Sequence, residues 1–263
     1  MITQTKLDQY KIFAGMLIGQ LSLLYFIFSA SAWMWMPTMV FYFLMMGLGV
    51  SLLNHRMLAH RSVAMENNLL KYFLLFWSTV MLQGSTLAWV GMHREHHGFS
   101  DTEKDPHSPV FGFWKSYFLS MFHTPNFRFV KDIMRDADIQ LFHRNYWEIN
   151  FLYGILLYSA FGINGLLMGH LVPAALTWHG VSIVNSISHF PSNYPWILGY
   201  RNFDTGEYSK NIPLAGYLTW GEAWHNNHHG NASNPSFKLK WWEWDLIGQI
   251  GQSINKANNK MNS

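Results

Sequence analysis

Residues 12–55 read IFAGMLIGQLSLLYFIFSASAWMWMPTMVFYFLMMGLGVSLLNH, without a single Lys, Arg, Asp or Glu. At 1.5 Å rise per residue a bilayer crossing takes about 20 residues, so this window holds two helical spans. They fall near Ile12–Ser31 and Pro37–Asn54, joined by the uncharged Ala32–Met36. Residues 149–200 are equally free of charge and complete two more spans, near Tyr146–Phe161 and Asn164–Ser188, turned at Gly162–Ile163. All 18 Lys and Arg lie outside these spans, in the N-terminal, central and C-terminal segments. Because Lys and Arg collect on the cytoplasmic side, both termini and the centre are expected in the cytoplasm. The expected fold is an all-α integral membrane protein: four transmembrane helices under a cytoplasmic helical cap. No composition shift, repeat or linker marks a boundary, so 1–263 reads as one domain.

Composition agrees: 49% of residues are hydrophobic and 13% charged, a balance common in membrane proteins. With no Cys, iron–sulfur clusters, thiolate-bound zinc and disulfides are excluded within this chain. Lys6, Lys11 and Ala30-Ser31-Ala32 resemble a signal peptide and cleavage site. The long apolar run, with another directly behind it, favours a retained span instead. A further apolar stretch, Leu69–Val90, carries Lys71 inside it. Histidine clusters flank it, and a crossing there would put them on opposite sides, so an interfacial helix on the cytoplasmic surface is expected. The polar Asn255–Ser263 reads as a frayed end.

Nine of the 14 His fall into four groups: His55 and His60; His93, His96 and His97; His189; and His225, His228 and His229. Positions three and four apart share a helix face, so each HxxHH set converges, and Asn185 projects beside His189. Neutral imidazole suits Zn, Cu, Fe and Ni. Nine nitrogens exceed what one ion binds, whereas two ions with four or five each use them all. Asn185, a poor ligand itself, would hold a water on one ion and leave a displaceable position for a small molecule such as oxygen. A lone His at a helix end is ordinarily a capping residue, and one HxxHH can arise by chance. Two such sets plus HxxxxH on one side of a membrane are hard to dismiss. His107, His123, His143, His170 and His179 lack such partners and are read as non-ligands.

The boxes HxxxxH, HxxHH and HxxHH, in this order, resemble those of the membrane fatty acid desaturases, in particular the delta-9 branch that includes stearoyl-CoA desaturase. The resemblance extends to Asp101-Thr-Glu-Lys-Asp-Pro-His107, Asn185-Ser-Ile-Ser-His189, Tyr200-Arg-Asn-Phe, Gly221-Glu-Ala-Trp and Trp241-Trp-Glu-Trp-Asp245. It implies two irons held by the nine histidines, with Asn185 acting through water, and a narrow acyl tunnel. It also implies O2 as co-substrate and a cis double bond placed at position 9 of a saturated fatty acyl chain. Asp105 and Glu222 match family carboxylates that would orient imidazoles. On span two, Gly47 and Phe43 stand roughly 12 and 18 Å from His55 along the axis. There Gly47 would let a methylene chain pass and Phe43 would end the tunnel, although Gly47 and Gly49 also suit close helix packing.

Two departures bear on the acyl carrier. Gly91-Met92 stands where animal acyl-CoA desaturases have Arg-Asp, and Ser108-Pro109-Val110 where they have basic residues. The carrier, CoA or lipid, is left open. Electrons must come from outside, from a ferredoxin or cytochrome b5-like donor on the basic cytoplasmic face, since no haem or flavin motif is present. No nucleic-acid partner is expected. Sterol oxidases of the membrane usually shorten the first box to three intervening residues, unlike the four here. The alternatives are a di-iron hydroxylase or a desaturase of another lipid. A metal transporter would want its ligands in mid-membrane instead.

Overall fold

The computed structural model describes residues 6–191 and 199–261. Among these the chain is helical, and β pairing is confined to isolated bridges, Tyr200 with Asn211 and Asn211 with Trp224. Three stretches are long and apolar enough to cross a membrane: Asp8–Ser29, Ala32–Ala59 and the 44-residue Tyr146–His189. Helix α1 (Lys6–Ser29) supplies the first. Helix α2 (Trp35–Tyr42) supplies the second and continues without a break as a π-helical run, Phe43–Ala59. In that run the bonds close over five residues, as in His60 N–H to His55 O at 3.0 Å.

The third stretch is not one rod. Helix α7 (Tyr146–Leu166) breaks at Gly162, whose φ of 63° and ψ of −158° suit glycine alone. There the chain doubles back. Tyr153 Oη donates to Gly169 O at 2.9 Å, and Asn150 Oδ1 meets His170 Nε2 at 3.2 Å. A straight helix would hold those pairs about 24 and 30 Å apart. Beyond a π turn, Leu167–Leu171, α8 (Val172–Ser186) runs on to a 3-10 turn, Ile187–His189. It packs against α1, where Gln20 Oε1 accepts from His179 Nε2 at 2.8 Å. A buried group inside an apolar bundle needs such a partner.

The single surface helix expected over Leu69–Val90 is replaced by two helices. α3 (Asn68–Val80) stops, Leu82 (φ 59°) and Gly84 (φ 86°) turn the chain, and α4 (Thr86–Phe99) begins. Ser85 caps α4 by accepting from Ala88 N–H. α3 buries Leu74, Leu75 and residues 77–80, with its Trp77–Ser78 backbone against Gly49 of the π-helical run. Its second half is largely buried while Leu69, Tyr72 and Phe73 in its first half are exposed, and its 13 residues, about 20 Å, are too few to cross a bilayer. Leu52, Leu53, Leu74, Leu75, Leu87 and Ile139 join it to α4 and α6 (Ala137–Arg144) in one apolar cluster.

The C-terminal segment is also more ordered than its polarity suggested, up to the last two residues, which lie outside those described. Between α4 and α6 stands the short α5 (Phe113–Tyr117), and α9 (Pro213–Leu218) and α10 (His225–Gly230) precede α11 (Leu246–Met261). Asn255 accepts from Ala64 N–H and donates to Ser62 O, both at 2.9 Å, tying α11 to the chain just past the first box.

Candidate metal centre

The π-helical winding explains how HxxxxH works. On an α-helix, residues five apart point about 140° away from each other. When bonds close over five residues, His55 and His60 come onto one face. α4 carries His93, His96 and His97, α10 carries His225, His228 and His229, and the 3-10 turn after α8 carries His189. These nine side chains divide into two groups. His55, His60, His93, His97 and His228 form one; His96, His189, His225 and His229 form the other, with the nitrogens of each group within 4.8 Å of one another. Each HxxHH box therefore serves both groups. Its i and i+4 histidines go to one and its i+3 histidine to the other, because i+3 and i+4 project about 100° apart.

Carboxylates stand behind the imidazoles. His55 Nδ1 bonds Glu222, and His96 Nδ1 lies 2.8 Å from Asp105. His189 Nδ1 lies 3.1 Å from Asp101, and His229 Nδ1 is 3.6 Å from Glu207. At His55, His96 and His189 the carboxylate accepts from Nδ1 and turns the Nε2 lone pair inward. Those inward nitrogens crowd: His225 Nε2 is 2.7 Å from His189 Nε2 and 3.1 Å from His229 Nε2, and His228 Nε2 is 3.0 Å from those of His55 and His97. Such a cluster has more lone pairs than protons to share, and His96 Nε2 is buried without a hydrogen-bond partner among the described residues. A cation in each group resolves both shortages, so the donor set fits two metal ions. Burial, reinforced by the neighbouring rings, holds His60, His93, His96, His225, His228 and His229 well below the ordinary imidazole value and brings His97 down to about 3. All seven are neutral at pH 7, the state a metal ligand needs.

Glu222 is itself held. Burial pushes its carboxyl up, but His55 and Arg56 outweigh that and bring it down to about 2. Arg56 is fully buried, bonded to Glu222, to Asp245 at 3.1 Å and to Pro235 O at 2.8 Å. The asparagines inside the last box are scaffold. Asn226 Oδ1 accepts from Asn202 and Phe203 N–H, while Asn227 Nδ2 donates to Glu243 and Phe237 O. This gives the Tyr200-Arg-Asn-Phe and Trp-Trp-Glu-Trp-Asp motifs a physical task, gripping α10.

Asn185 lines a small cavity with Met46, Val50, Trp89, His93, Val181 and His225. That cavity shares Trp89, His93, Val181 and Asn185 with a larger cleft. The larger cleft shares Ile12, Gly84 and Ala88 with an outer one lined by Asp8, Arg144, Tyr146 and Trp147. Phe43 and Gly47 line none of the three. A Cβ on Gly47 would stand 3.0 Å from the Phe43 ring and 3.1 Å from Ile247, and Phe43 packs on Trp220 with ring centres 5.1 Å apart.

Three residues near the histidines escaped the sequence reading. Asp101 sits inside a quoted motif without a role of its own, and no spacing singles out Glu207. His107, set aside as partnerless, lies against His96 with ring centres 4.3 Å apart and planes tilted by 34°, and brings Nδ1 within 3.6 Å of Asp105. His123 and His143 are elsewhere engaged, with Glu95 at 3.1 Å and Ser85 at 2.6 Å.

A fatty acid desaturase family model matches residues 7–250. The chain belongs to the fatty acid desaturase family. It is 35% identical to an sn-1 stearoyl-lipid 9-desaturase of Anabaena variabilis, over 92% of this chain and 88% of that one. It is 34% identical to Delta-9 acyl-lipid desaturase 2 of Arabidopsis thaliana, over 93% and 79%. An acyl-CoA C20 Delta5-desaturase of Anemone leveillei is 32% identical over 77% and 64%. The chain is thus an oxidoreductase of the fatty acid desaturase type.

Proposed function

We propose that the protein places a cis double bond at position 9 of a saturated acyl chain carried on a membrane lipid. The reaction removes one hydrogen from each of two adjacent methylenes. With O2, two electrons and two protons it yields the alkene and two waters. The supporting observation is the division of nine buried or half-buried histidines into five and four beside the small cavity at the inner end of a cleft. Two irons bound there would supply the oxidising power. The nine histidines would hold them, with Asn185 reaching one through a water. Asp101, Asp105 and Glu222 would keep each partner's proton on Nδ1. Trp89, Met92 and Val181 line the approach and exclude bulk water.

The reversal at Gly162 supports reading Tyr146–His189 as two crossings, four in all, with histidines and both termini on the cytoplasmic side. A ferredoxin or cytochrome b5-like donor would dock on that basic side. The Anabaena and Arabidopsis relatives are named for lipid-bound substrates. The outer cleft agrees: it opens at the first turns of α1 and α7, where a bilayer lipid arrives sideways, and among the described residues Arg144 is the one Lys or Arg that lines it. The phosphates of CoA would call for more cations. Expression in a desaturase-deficient host, followed by methyl-ester analysis of separate lipid and acyl-CoA pools, tests this. New 9-monoene appearing first in lipid is expected; its first appearance in acyl-CoA would overturn the carrier, and no monoene at all the activity.

A further inference from the structure

Helix α9 and residues 239–244 turn a row of large apolar groups outward: Leu214 is 72% exposed, Leu218 53%, Leu239 57% and Trp241 87%. The two segments form one plate. Tyr217 Oη donates to Trp242 O at 2.6 Å, and the rings of Trp220 and Trp244 lie 6.0 Å apart. A contiguous apolar face of this kind marks a contact with lipid or protein.

We infer that this plate is embedded in the cytoplasmic leaflet, with the acyl region of the bilayer as its partner. The inference rests on the proposal that Ala32–Ala59 crosses the membrane, and two observations carry it. The first is depth. Tyr42 Oη donates to Leu218 O at 2.8 Å, and Phe43 packs on Trp220. Tyr42 is ten residues in from Ala32, about 15 Å along the axis and halfway through a hydrocarbon core of about 30 Å. Leu218, the deep end of the plate, therefore lies one side chain away from mid-core, too deep for a soluble protein to reach.

The second observation is the state of its backbone. Irregular chain facing lipid must satisfy its polar groups internally, since no water is available. Here the carbonyls of Leu218, Trp242 and Trp244 accept from Tyr42, Tyr217 and Trp224, and the N–H groups of Leu239 and Lys240 donate to Glu243. Five backbone groups at the end of α9 and in the loop are thus met by five side-chain bonds, an economy that a water-facing segment would not need. At the rim, Lys240 lies over the Tyr200 ring at 4.0 Å and Lys238 is exposed, as side chains are where they reach for headgroups. Glu222 and His225 follow α9 directly, so the plate would hold the third box at the membrane surface.

The absence of Cys allows single cysteines to be introduced one at a time and labelled with an environment-sensitive fluorophore, at Leu218, Trp241, Val40 and Asp204. Val40 is exposed on α2, and Asp204 is fully exposed in a polar loop. In phosphatidylcholine vesicles, acyl-chain-brominated lipid should remove most of the emission at Leu218→Cys, Trp241→Cys and Val40→Cys, and iodide that at Asp204→Cys alone. Iodide quenching at Leu218 and Trp241, with Val40 still quenched by bromine, would overturn the plate while leaving the span intact. Shelter of Leu218 and Trp241 from both quenchers would mean protein covers them, and would overturn it too. Failure of bromine to reach Val40 would overturn the span reading, and the depth assignment with it.

Discussion

Asp105→Asn keeps the side chain's size and removes its charge. Asp105 Oδ2 accepts from His96 Nδ1 at 2.8 Å and from Asp101 N–H at 2.9 Å, while Oδ1 accepts from His107 N–H at 3.0 Å. Three donors converge on two oxygens, and an amide offers only one. In its better orientation the amide keeps His96 and Asp101 and turns its NH2 on His107 N–H, stranding a buried donor at about 1–3 kcal/mol. The remaining oxygen is neutral, a weaker acceptor that leaves His96 a weaker ligand. Loss of such an outer partner typically lowers metal affinity about 10–100-fold, or about 1.4–2.8 kcal/mol. His96 belongs to the group of four, so the loss should fall on one ion. The assay is chelator titration of iron-loaded protein, reading iron per chain. The parent should start near two irons; Asp105→Asn should release one at a roughly 10–100-fold lower free chelator concentration and the other with the parent. Release of both irons together at the lower concentration, or no displacement at all, would refute the reasoning. Glu222→Gln is the contrasting case, because it touches His55 in the group of five and also unpairs the buried Arg56. Removing one partner of a buried pair costs about 3–5 kcal/mol, here lessened by Asp245, so this variant should lower the unfolding midpoint as well.

His96→Ala and His228→Ala should each abolish product while the protein still inserts, whereas His123→Ala and His143→Ala should keep activity; methyl-ester yield and membrane fractionation read both. Gly49→Ala should destabilise the fold by about 1–3 kcal/mol, because its Cβ would stand 2.9 Å from the Trp77–Ser78 backbone, which cannot swing aside. An unchanged thermal midpoint in detergent would contradict that close approach. Met46→Ala widens the inner end of the small cavity and should admit longer acyl chains. Phe43→Ala shares that effect only if the tail continues past Gly47, and product chain-length profiles separate the two.

The histidines were legible because ligand spacing survives in one dimension: boxes at three, four and five residues must converge on something. The division into five and four was not legible, since it depends on where each helix points around its own axis. The carboxylates show the same boundary. Asp105 and Glu222 were found through motifs, while Glu207 reaches His229 only because the loop after Tyr200 folds over α10. Absence of charge located the apolar stretches, and Gly162 was read as a turn from its position alone. The break at Leu82–Gly84 was missed because the apolar run continues through it, and the order of Asn255 because its partners, Ser62 and Ala64, are distant in sequence. Hydropathy also gave no sign of the plate formed by α9 and residues 239–244, whose depth follows from one hydroxyl on another helix.

The winding of the second helix has a consequence for how a motif of this kind can change over evolution. Where bonds close over four residues, two histidines share a face with three residues between them; where they close over five, as after Phe43, they need four. Insertion of one residue between the two histidines therefore need not displace either imidazole, provided the helix widens to absorb it. The three-residue box of the sterol oxidases and the four-residue box here can thus present the same pair of nitrogens at the same place.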